Sequence, residues 1–228
     1  MKKHKLLKEY TNVLLNGTQN LLVVKGHFGM GKTYTIGSIL KELDLKDGIN
    51  YQYISGYITP KQLFNVLSSC RIMEKPKLFW FDDIEGVLGN KTSIALLKSA
   101  LWEVNGKRLV SYQTSKNSDE LPAFEFNGKV ILVVNSLNQE KVLGRSLLDR
   151  GIYYDMTLDP EEVVYYIENM VLPNIEKDIP INEKWSVWEK VKRFVEYPNF
   201  SIRCLYRAFS FYKHNKNEWY KLFTTSMK

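Results

Sequence analysis

The sequence predicts an α/β protein in which helices flank a five-stranded, mainly parallel sheet and a small all-helical part follows. Two observations carry this prediction. Short apolar runs alternate with segments of helical periodicity up to residue 158, a pattern typical of βαβ units. After Pro160 only helical patterns occur, and prolines interrupt them. We therefore expect an α/β domain at 1–158 and a helical subdomain at 159–228.

Five short runs have the length and composition of strands. The first ends at a glycine and the third ends in two acids. Most of these runs are continuously apolar, as expected for parallel strands that helices cover on both faces. They are Asn20–Lys25, Ile49–Ser55, Lys77–Phe81, Val130–Val134 and Ile152–Met156.

Helical periodicity fills the intervals between the strands and the whole C-terminal part. The segment Thr33–Leu43 places its isoleucines and leucines on one side. In Thr59–Ser69, Thr59 is an N-cap signal and Pro60 suits the first helical position. The other predicted helices are Lys91–Glu103, Glu140–Arg150, Glu161–Met170, Glu183–Val195, Ser201–His214 and Glu218–Thr224.

Composition predicts a soluble, cytoplasmic protein with a sizeable core. The 228 residues are 44% hydrophobic and 13% aromatic, which argues against disorder. Cys70 and Cys204 lie too far apart to suggest a metal spacing, so a reducing setting is the simplest interpretation. The basic N-terminus lacks the apolar core of a signal peptide, and no window approaches the roughly 18 apolar residues of a spanning helix. We expect no membrane partner.

The net charge of +7 is compatible with a nucleic-acid partner, because lysine and arginine neutralise phosphates and release counterions. Solvated lysine faces are the alternative interpretation. The abundance of lysine, asparagine, isoleucine and tyrosine is typical of an AT-rich genome, such as that of a virus, a plasmid or a bacterium.

A glycine-rich turn between the first strand and the first predicted helix fits the pattern G-x-x-x-x-G-K-[ST]. Its glycines allow the backbone to wrap an oxyanion, and the following helix supplies free N–H groups. Lys32 is placed to reach the β- and γ-phosphates of ATP, and the Thr33 hydroxyl to bind Mg²⁺. A strand–helix turn without a ligand is the alternative. The predicted nucleotide contacts are Gly26, His27, Phe28, Gly29, Met30, Gly31, Lys32, Thr33 and Tyr34.

Two acids, Asp82 and Asp83, directly follow the third apolar run. A buried parallel strand that ends in an acid brings it to the carboxyl edge of the sheet, where ligands of such folds bind. Asp82 is then the expected partner of the Mg²⁺ held by Thr33, and Asp83 is placed to polarise the attacking water. A simple turn or helix cap is the alternative for these acids.

The phosphate loop in its GxxGxGKT form and the strand with two acids resemble the AAA+ ATPase family, over roughly residues 16 to 214. The resemblance implies an oligomeric Mg²⁺-dependent ATPase. It implies that Asn135, at the end of the fourth strand, orients the attacking water like a sensor-1 residue. An asparagine that merely turns the chain is the alternative.

The resemblance also implies roles for two arginines. Arg150, in a phrase similar to the family's LL-x-R, would be the arginine finger supplied to a neighbouring subunit, with Arg145 as a competitor. Arg203, near the start of a helix similar to the sensor-2 helix, would contact the γ-phosphate, with Arg207 one turn later. The alternatives are surface arginines at a helix end or on an exposed helix face.

Two features depart from the family pattern. Asp83 stands where glutamate is usual, so hydrolysis is expected to be slow or dependent on a partner. Segment 104–128 forms an inserted hairpin or loop before the fourth strand, and a solvated hairpin and a substrate-contacting one are both open. Its residues suited to phosphate contact or base stacking are Lys107, Arg108, Tyr112 and Lys116.

Three functions fit these features. The first is an ATPase acting on nucleic acid in replication, as an initiator, helicase or helicase loader, with specificity from a loop, the lid or a partner protein. The second is a protein-remodelling ATPase, for which Gly56-Tyr57-Ile58 stands near the family's pore-loop position. The third is an ATP-gated assembly switch that barely hydrolyses. A DNA-packaging motor is a weaker variant, because the sensor-like residues and helical lid argue against it.

Overall fold

The structure is a computed structural model that describes residues 2–72, 78–83, 85–112, 123–135, 147 and 149–227. The chain forms two compact units. The first contains residues 2–26 and 32–156. The second contains His27–Gly31 and the C-terminal segment that begins at Thr157.

The first unit is built on a five-stranded parallel sheet in the order β2-β3-β6-β1-β7. This confirms the predicted fold class, and every strand pair in the sheet is parallel. The strands are β1 Leu21–Lys25, β2 Tyr51–Ser55, β3 Leu78–Asp82, β6 Lys129–Val134 and β7 Ile152–Asp155.

Helices cover both faces of the sheet. Thr59 caps α3 as predicted: its hydroxyl accepts from the N–H of Gln62, whose side chain accepts from the N–H of Thr59. Helix α1 is an element that the sequence analysis did not predict. The helices of this unit are α1 Lys2–Asn16, α2 Lys32–Glu42, α3 Pro60–Ser68, α4 Glu85–Gly89 and α5 Lys91–Leu101, with a 3₁₀ turn at Ser69–Ile72.

Alternate residues of the inner strands β1, β3 and β6 face opposite cores, which is why their sequences are almost continuously apolar. Phe79 and Phe81 of β3 belong to the core that α3 and α5 cover. Leu78 and Trp80 belong to the core on the other face, which α1 and α2 cover. Asp82 has the same parity as Trp80, so its side chain leaves the strand on the α2 face.

The inserted segment, predicted to be a hairpin or a loop, contains a two-stranded antiparallel sheet. Strand β4, Leu109–Ser111, pairs with β5, Ala123–Glu125. A tight turn precedes it, where Val104 and Lys107 pair around Asn105 and Gly106, both at positive φ. Residues 113–122 between β4 and β5, which include Lys116, lie outside the described residues.

Two residues of this segment that suit phosphate contact or base stacking are used in packing. Arg108 donates to the carbonyl oxygen of Gly128 at 2.9 Å, and its guanidinium lies 5.2 Å from the centre of the Phe126 ring. Tyr112 is half-buried, with its ring 5.7 Å from that of Phe64. The sequence leaves substrate contact open for this segment, and these contacts favour a structural role for both side chains. Lys107 is exposed.

The second unit has a helical core of its own. Asp159 and Glu162 form a capping box at the start of α6, and the large buried side chains of this core include Trp188, Phe209 and Phe223. Its helices are α6 Pro160–Tyr166, continued by a π-helical turn at Ile167–Val171, α7 Ile181–Val191 with a 3₁₀ turn at Lys192–Phe194, α8 Ile202–His214 and α9 Trp219–Ser226. The predicted helix at 140–150 falls mostly outside the described residues. Within the described chain, no helix is long and apolar enough to cross a membrane.

Lys129, at the start of β6, fixes the end of helix α1. Its Nζ donates to the carbonyl oxygens of Leu14 at 2.6 Å and Gly17 at 2.7 Å, and lies 3.3 Å from that of Leu15. These are C-terminal carbonyls of the helix, which have no intrahelical partners and carry the negative end of its dipole. The ammonium therefore joins α1 to the central sheet.

Replacing Lys129 with methionine is expected to destabilise the fold by about 1–3 kcal/mol, because buried carbonyls lose charged donors. Urea unfolding followed by circular dichroism measures the change. Lys46→Met, at an exposed loop position, is the matched control and should leave stability within about 0.5 kcal/mol of wild type. Equal stability of the two variants would contradict this role of Lys129.

Candidate functional site

The phosphate loop links β1 to α2, which begins at Lys32. Gly29 has φ +68° and Gly31 has φ +82°, a backbone region that L side chains rarely adopt. At the base of the loop, the Gly26 N–H donates to the carbonyl oxygen of Val134 at 3.2 Å, so the loop starts from the sheet edge. The N-terminus of α2 leaves its first N–H groups without intrahelical partners, as an anion site requires.

Lys32 holds its charge inside the base of the loop. Its residue is only 5% exposed. Its Nζ donates to the carbonyl oxygen of Gly26 at 2.6 Å and to Oδ1 of Asn135 at 3.1 Å. Both acceptors are neutral, and they hold the ammonium where the loop meets the sheet edge. An anion bound there would be attracted to it.

Asp82 receives two hydrogen bonds on one oxygen. Thr33 Oγ1 donates to Oδ2 at 2.7 Å, and the hydroxyl of Tyr53 donates to the same atom at 3.1 Å. The Asp82 residue is 4% exposed, and burial raises the pKa of its carboxyl above the usual range, although the two hydrogen bonds oppose this shift. Proximity to Asp82 and burial also raise the pKa of Tyr53.

Asn135, directly after β6, connects Lys32 to Asp83. Its Nδ2 donates to Oδ1 of Asp83 at 2.7 Å, while its Oδ1 accepts from Lys32. A cation at one end and a carboxylate at the other fix which way the amide points. Asp83 has φ +52°, so the chain turns sharply after β3 and brings the second acid to Asn135.

The oxygen atoms at this edge suit Mg²⁺. The Thr33 hydroxyl and the Asp82 carboxylate lie in hydrogen-bond contact, and Mg²⁺ prefers few protein oxygens with the rest of its shell from phosphate and water. Among the described residues there is no group of three or more His, Cys, Asp or Glu side chains suited to a metal. A site shared with phosphate oxygens therefore fits this donor set better than a site built from the protein alone.

The tip of the loop belongs to the second unit. Met30 is 4% exposed and packs in the core of that unit. A Cβ at Gly29 would lie 3.0 Å from Cβ of Ser201, the residue that precedes α8. Phe28 lines a cavity of about 290 Å³ with Arg203 and other residues.

The other wall of this cavity comes from α8 and α9. Arg203 is exposed, and Arg207, one turn later, donates from Nη1 to the carbonyl oxygen of Ser226 at 3.1 Å. Two guanidinium groups and an aromatic ring thus line one cavity. Outside it, His27 is exposed, and Tyr34, on α2 in the first unit, is 75% exposed.

Arg150 is not brought to the phosphate loop of its own chain. It precedes β7, whose first residue pairs with Leu22, so it lies at the opposite edge of the sheet from Asp82. Its guanidinium is 5.0 Å from the centre of the Trp102 ring, and both residues line a cavity of about 430 Å³ with Glu103. Arg145 lies outside the described residues.

The structure thus brings five of the predicted residues together at one edge of the sheet: Lys32, Thr33, Asp82, Asp83 and Asn135. Tyr53 was not predicted to belong with them. The sequence feature that could have indicated this contact is its position in β2, two residues before the strand ends and on the same face as Asp82. That signal depends on the pairing of β2 with β3, which the sequence analysis did not predict.

Comparison with known proteins gives a relative and a fold. The chain is 25% identical, over a 241-residue alignment covering 98% of it and 73% of the relative, to an uncharacterized 36.7 kDa protein from the nrdC–mobD intergenic region of enterobacteria phage T4. The solved structure of the Aeropyrum pernix Orc1 protein in complex with DNA matches with a TM-score of 0.61 at 12% identity, covering 99% of this chain. No protein-family model matches.

The Orc1 match concerns architecture. At this level of identity it shows a shared fold, of the P-loop NTPase type, with a parallel sheet, flanking helices and C-terminal helices. The chain spans 64% of the length of that Orc1 chain.

Burial of Asp82 gives a pH-dependent prediction. Since its folded pKa is raised, the ionised carboxylate opposes folding above that pKa, and stability is recovered as pH falls through it. In EDTA, Asp82→Asn should therefore be more stable than wild type at pH 7, and the difference should shrink toward pH 4. Denaturant unfolding at both pH values measures this.

Asp83→Asn is the matched control, because Asp83 is exposed and asparagine tolerates its positive φ. It should show no comparable gain at pH 7. An Asp82→Asn variant that is less stable than wild type at both pH values would show that the ionised carboxylate does not oppose folding.

Proposed function

We propose that this protein is a Mg²⁺-dependent ATPase that couples ATP binding and hydrolysis to an action on nucleic acid. One observation carries the proposal: a buried lysine in a glycine-rich loop, a hydroxyl on a carboxylate, and an amide bridging that lysine to a second carboxylate all meet at one sheet edge. A structural turn does not need a buried lysine and a buried carboxylate, whereas a site for phosphate and a metal ion uses both.

Each group has a role in hydrolysis. Lys32 neutralises the β- and γ-phosphates, and Thr33 with Asp82 holds Mg²⁺, which when bound supplies positive charge beside those phosphates. Asp83 accepts a proton from water as its oxygen attacks the γ-phosphorus and the bond to the β-phosphate oxygen breaks. Asn135, held beside Asp83, orients that water.

Further nucleotide contacts are proposed for the loop residues and for Arg203. The backbone from Gly26 to Gly31 wraps the phosphates, because the two glycines at positive φ give the loop its curvature. Arg203 contacts the γ-phosphate, and its place in one cavity with Phe28 of the loop supports this role. His27, Met30 and Tyr34 add backbone or ring contacts.

A nucleic-acid target is supported by the net charge of +7 and by the fold shared with a protein solved in complex with DNA. Replication, as an initiator, helicase or helicase loader, is the setting we favour, with a partner protein adding specificity. In the described part of the inserted segment, Lys107 remains the exposed candidate for phosphate contact. The phage relative fits a gene carried by a virus or another mobile element.

Arg150 is proposed to act on the ATP of a neighbouring copy. Its place at the opposite sheet edge from Lys32 supports action in trans over action in cis. Trp102, whose ring lies beside the guanidinium, and Val104, two residues further along the chain, are each more than half exposed, and such side chains suit contact with another subunit. Assembly would bury these side chains and bring the guanidinium to the partner's phosphates.

A slowly hydrolysing, ATP-gated switch is the alternative, and Asp83 favours it. Its short carboxylate is tied to Asn135 at 2.7 Å and is not free to move toward a water. A protein-remodelling ATPase is the other alternative, and the 83% exposed Tyr57 after β2 favours that one.

ATP turnover with and without single-stranded or duplex DNA tests the proposal. Wild type should hydrolyse ATP, with several-fold stimulation by DNA at low salt. Lys32→Ala should lower turnover at least 100-fold by removing the phosphate-binding charge. Lys41→Ala, on the exposed end of the same helix, is the matched control and should keep wild-type activity.

The outcomes separate the candidates. Turnover of wild type equal to that of Lys32→Ala, with ATP binding intact, would favour the switch. If the protein does not bind DNA at low salt and DNA does not change its ATP turnover, the nucleic-acid role is rejected. Loss of ATP binding from wild type itself would reject the ATPase proposal.

Subunit mixing tests the trans arginine. Arg150→Ala should bind ATP but lose about 10³-fold in turnover, the magnitude typical of arginine fingers. Lys32→Ala should be inactive with Arg150 intact. Mixing the two inactive variants should restore part of the activity, because one supplies the arginine and the other the intact site. A monomeric, fully active Arg150→Ala variant, or mixed oligomers without recovered activity, would refute action in trans.

A further inference from the structure

Tyr53 lies beside the carboxylate proposed to hold Mg²⁺. In the parallel register of β2 and β3, Tyr53 pairs with Trp80, and its side chain leaves on the same face as those of Trp80 and Asp82. Its hydroxyl donates to Oδ2 of Asp82 at 3.1 Å. The residue is 38% exposed, so burial of the tyrosine does not by itself require its hydroxyl to bond to Asp82.

The tyrosine is itself held in place from two sides. Its ring packs edge-on against Trp80 with centroids 4.7 Å apart. Its backbone N–H donates to Oδ1 of Asp47 at 2.9 Å, in the loop before β2. A side chain fixed in this way gives up little rotamer entropy when it forms a further hydrogen bond.

Both hydrogen bonds to the Asp82 carboxylate from the described residues end on Oδ2, one from Tyr53 and one from Thr33. Two donors on one oxygen fix the plane of the carboxylate and direct Oδ1 elsewhere. Outer hydrogen bonds of this kind orient metal ligands, and their loss weakens metal binding.

We propose that Tyr53 is a positioning residue of the metal site: it orients Asp82 for Mg²⁺ without touching the metal or the nucleotide. The inference rests on the proposed function, since it presumes that Asp82 serves a metal. Because Tyr53 reaches Asp82 from β2, the strand next to β3, the end of β2 would be part of the metal site. Simple packing of an aromatic ring on Trp80 is the competing role, and metal affinity separates the two.

Tyr53→Phe removes the hydroxyl and keeps the ring. Tyr51→Phe is the matched control, because Tyr51 lies on the same strand and face, with its ring 6.2 Å from that of Trp80. Its hydroxyl forms no hydrogen bond with another described residue. Mn²⁺ serves as the probe, because the electron paramagnetic resonance signal of free Mn²⁺ reports binding in the presence of a non-hydrolysable ATP analogue.

We expect Tyr53→Phe to weaken Mn²⁺ binding about tenfold, the lower end of the range for such outer contacts. Affinity for the nucleotide in EDTA and the thermal midpoint should stay close to wild type. Tyr51→Phe should match wild type in all three measurements. In turnover, Tyr53→Phe should require about tenfold more Mg²⁺ for half-maximal rate and approach the wild-type rate at saturation.

Wild-type Mn²⁺ affinity in Tyr53→Phe would overturn the positioning role. So would an equal loss of nucleotide affinity with and without metal, because that pattern indicates a structural role. If wild type itself binds no Mn²⁺–nucleotide, the proposed function fails together with the inference. Failure of the inference alone leaves wild-type binding and turnover intact.

Discussion

The candidate site depends on the parallel placement of β6 between β1 and β3. In this register three strands end at the same edge of the sheet. The phosphate loop after Lys25, the two acids after Phe81 and the amide after Val134 therefore lie at that edge. Shifting β3 by one residue would turn Asp82 to the opposite face, away from Thr33. Hydrophobic burial on both faces prevents such a shift, so the apolar cores set the positions of the polar groups.

The site carries a cost in stability. Lys32 and Asp82 are each at most 5% exposed, and removing a charge from water is unfavourable unless hydrogen bonds replace the solvent. Lys32 donates to the carbonyl oxygen of Gly26 and to Asn135, and two hydroxyls donate to Asp82. Buried charged groups of this kind are typical of binding sites, where a bound anion or cation would add a favourable interaction.

Local patterns predicted much of this arrangement. The strands, the glycine-rich loop, the acids after β3 and Asn135 after β6 all follow from contiguous sequence, because strand ends in parallel sheets share an edge. Tyr53 did not follow, because its contact with Asp82 arises from the register of a neighbouring strand. Helix α1 was not predicted, and one of the contacts that hold it, from Lys129, comes from more than 110 residues away in sequence.

Arg108 shows a different limit. The sequence of an inserted hairpin does not show whether a basic side chain faces the solvent, where it could contact a nucleic acid, or packs inside the fold. Arg108 packs inside because it donates to the carbonyl oxygens of Ala100, at the end of α5, and of Gly128, before β6. Its guanidinium also lies over the ring of Phe126. A guanidinium that satisfies buried carbonyls and covers an aromatic ring is worth more to the fold than a solvated one. No local sequence pattern carries that information.

The bridge through Asn135 bears on how fast ATP would be hydrolysed. Its amide holds Lys32 at one end and Asp83 at the other, so the lysine and the proposed base are linked by one side chain. A phosphate that draws the ammonium away releases Oδ1 of Asn135 to accept a hydrogen bond from water, next to the carboxylate that takes the proton. Because aspartate is one methylene shorter than glutamate, Asp83, if it is the base as proposed, would depend on that amide to bring the water within reach. Nucleotide binding would then be secure by itself, whereas hydrolysis would depend on the position of Asn135.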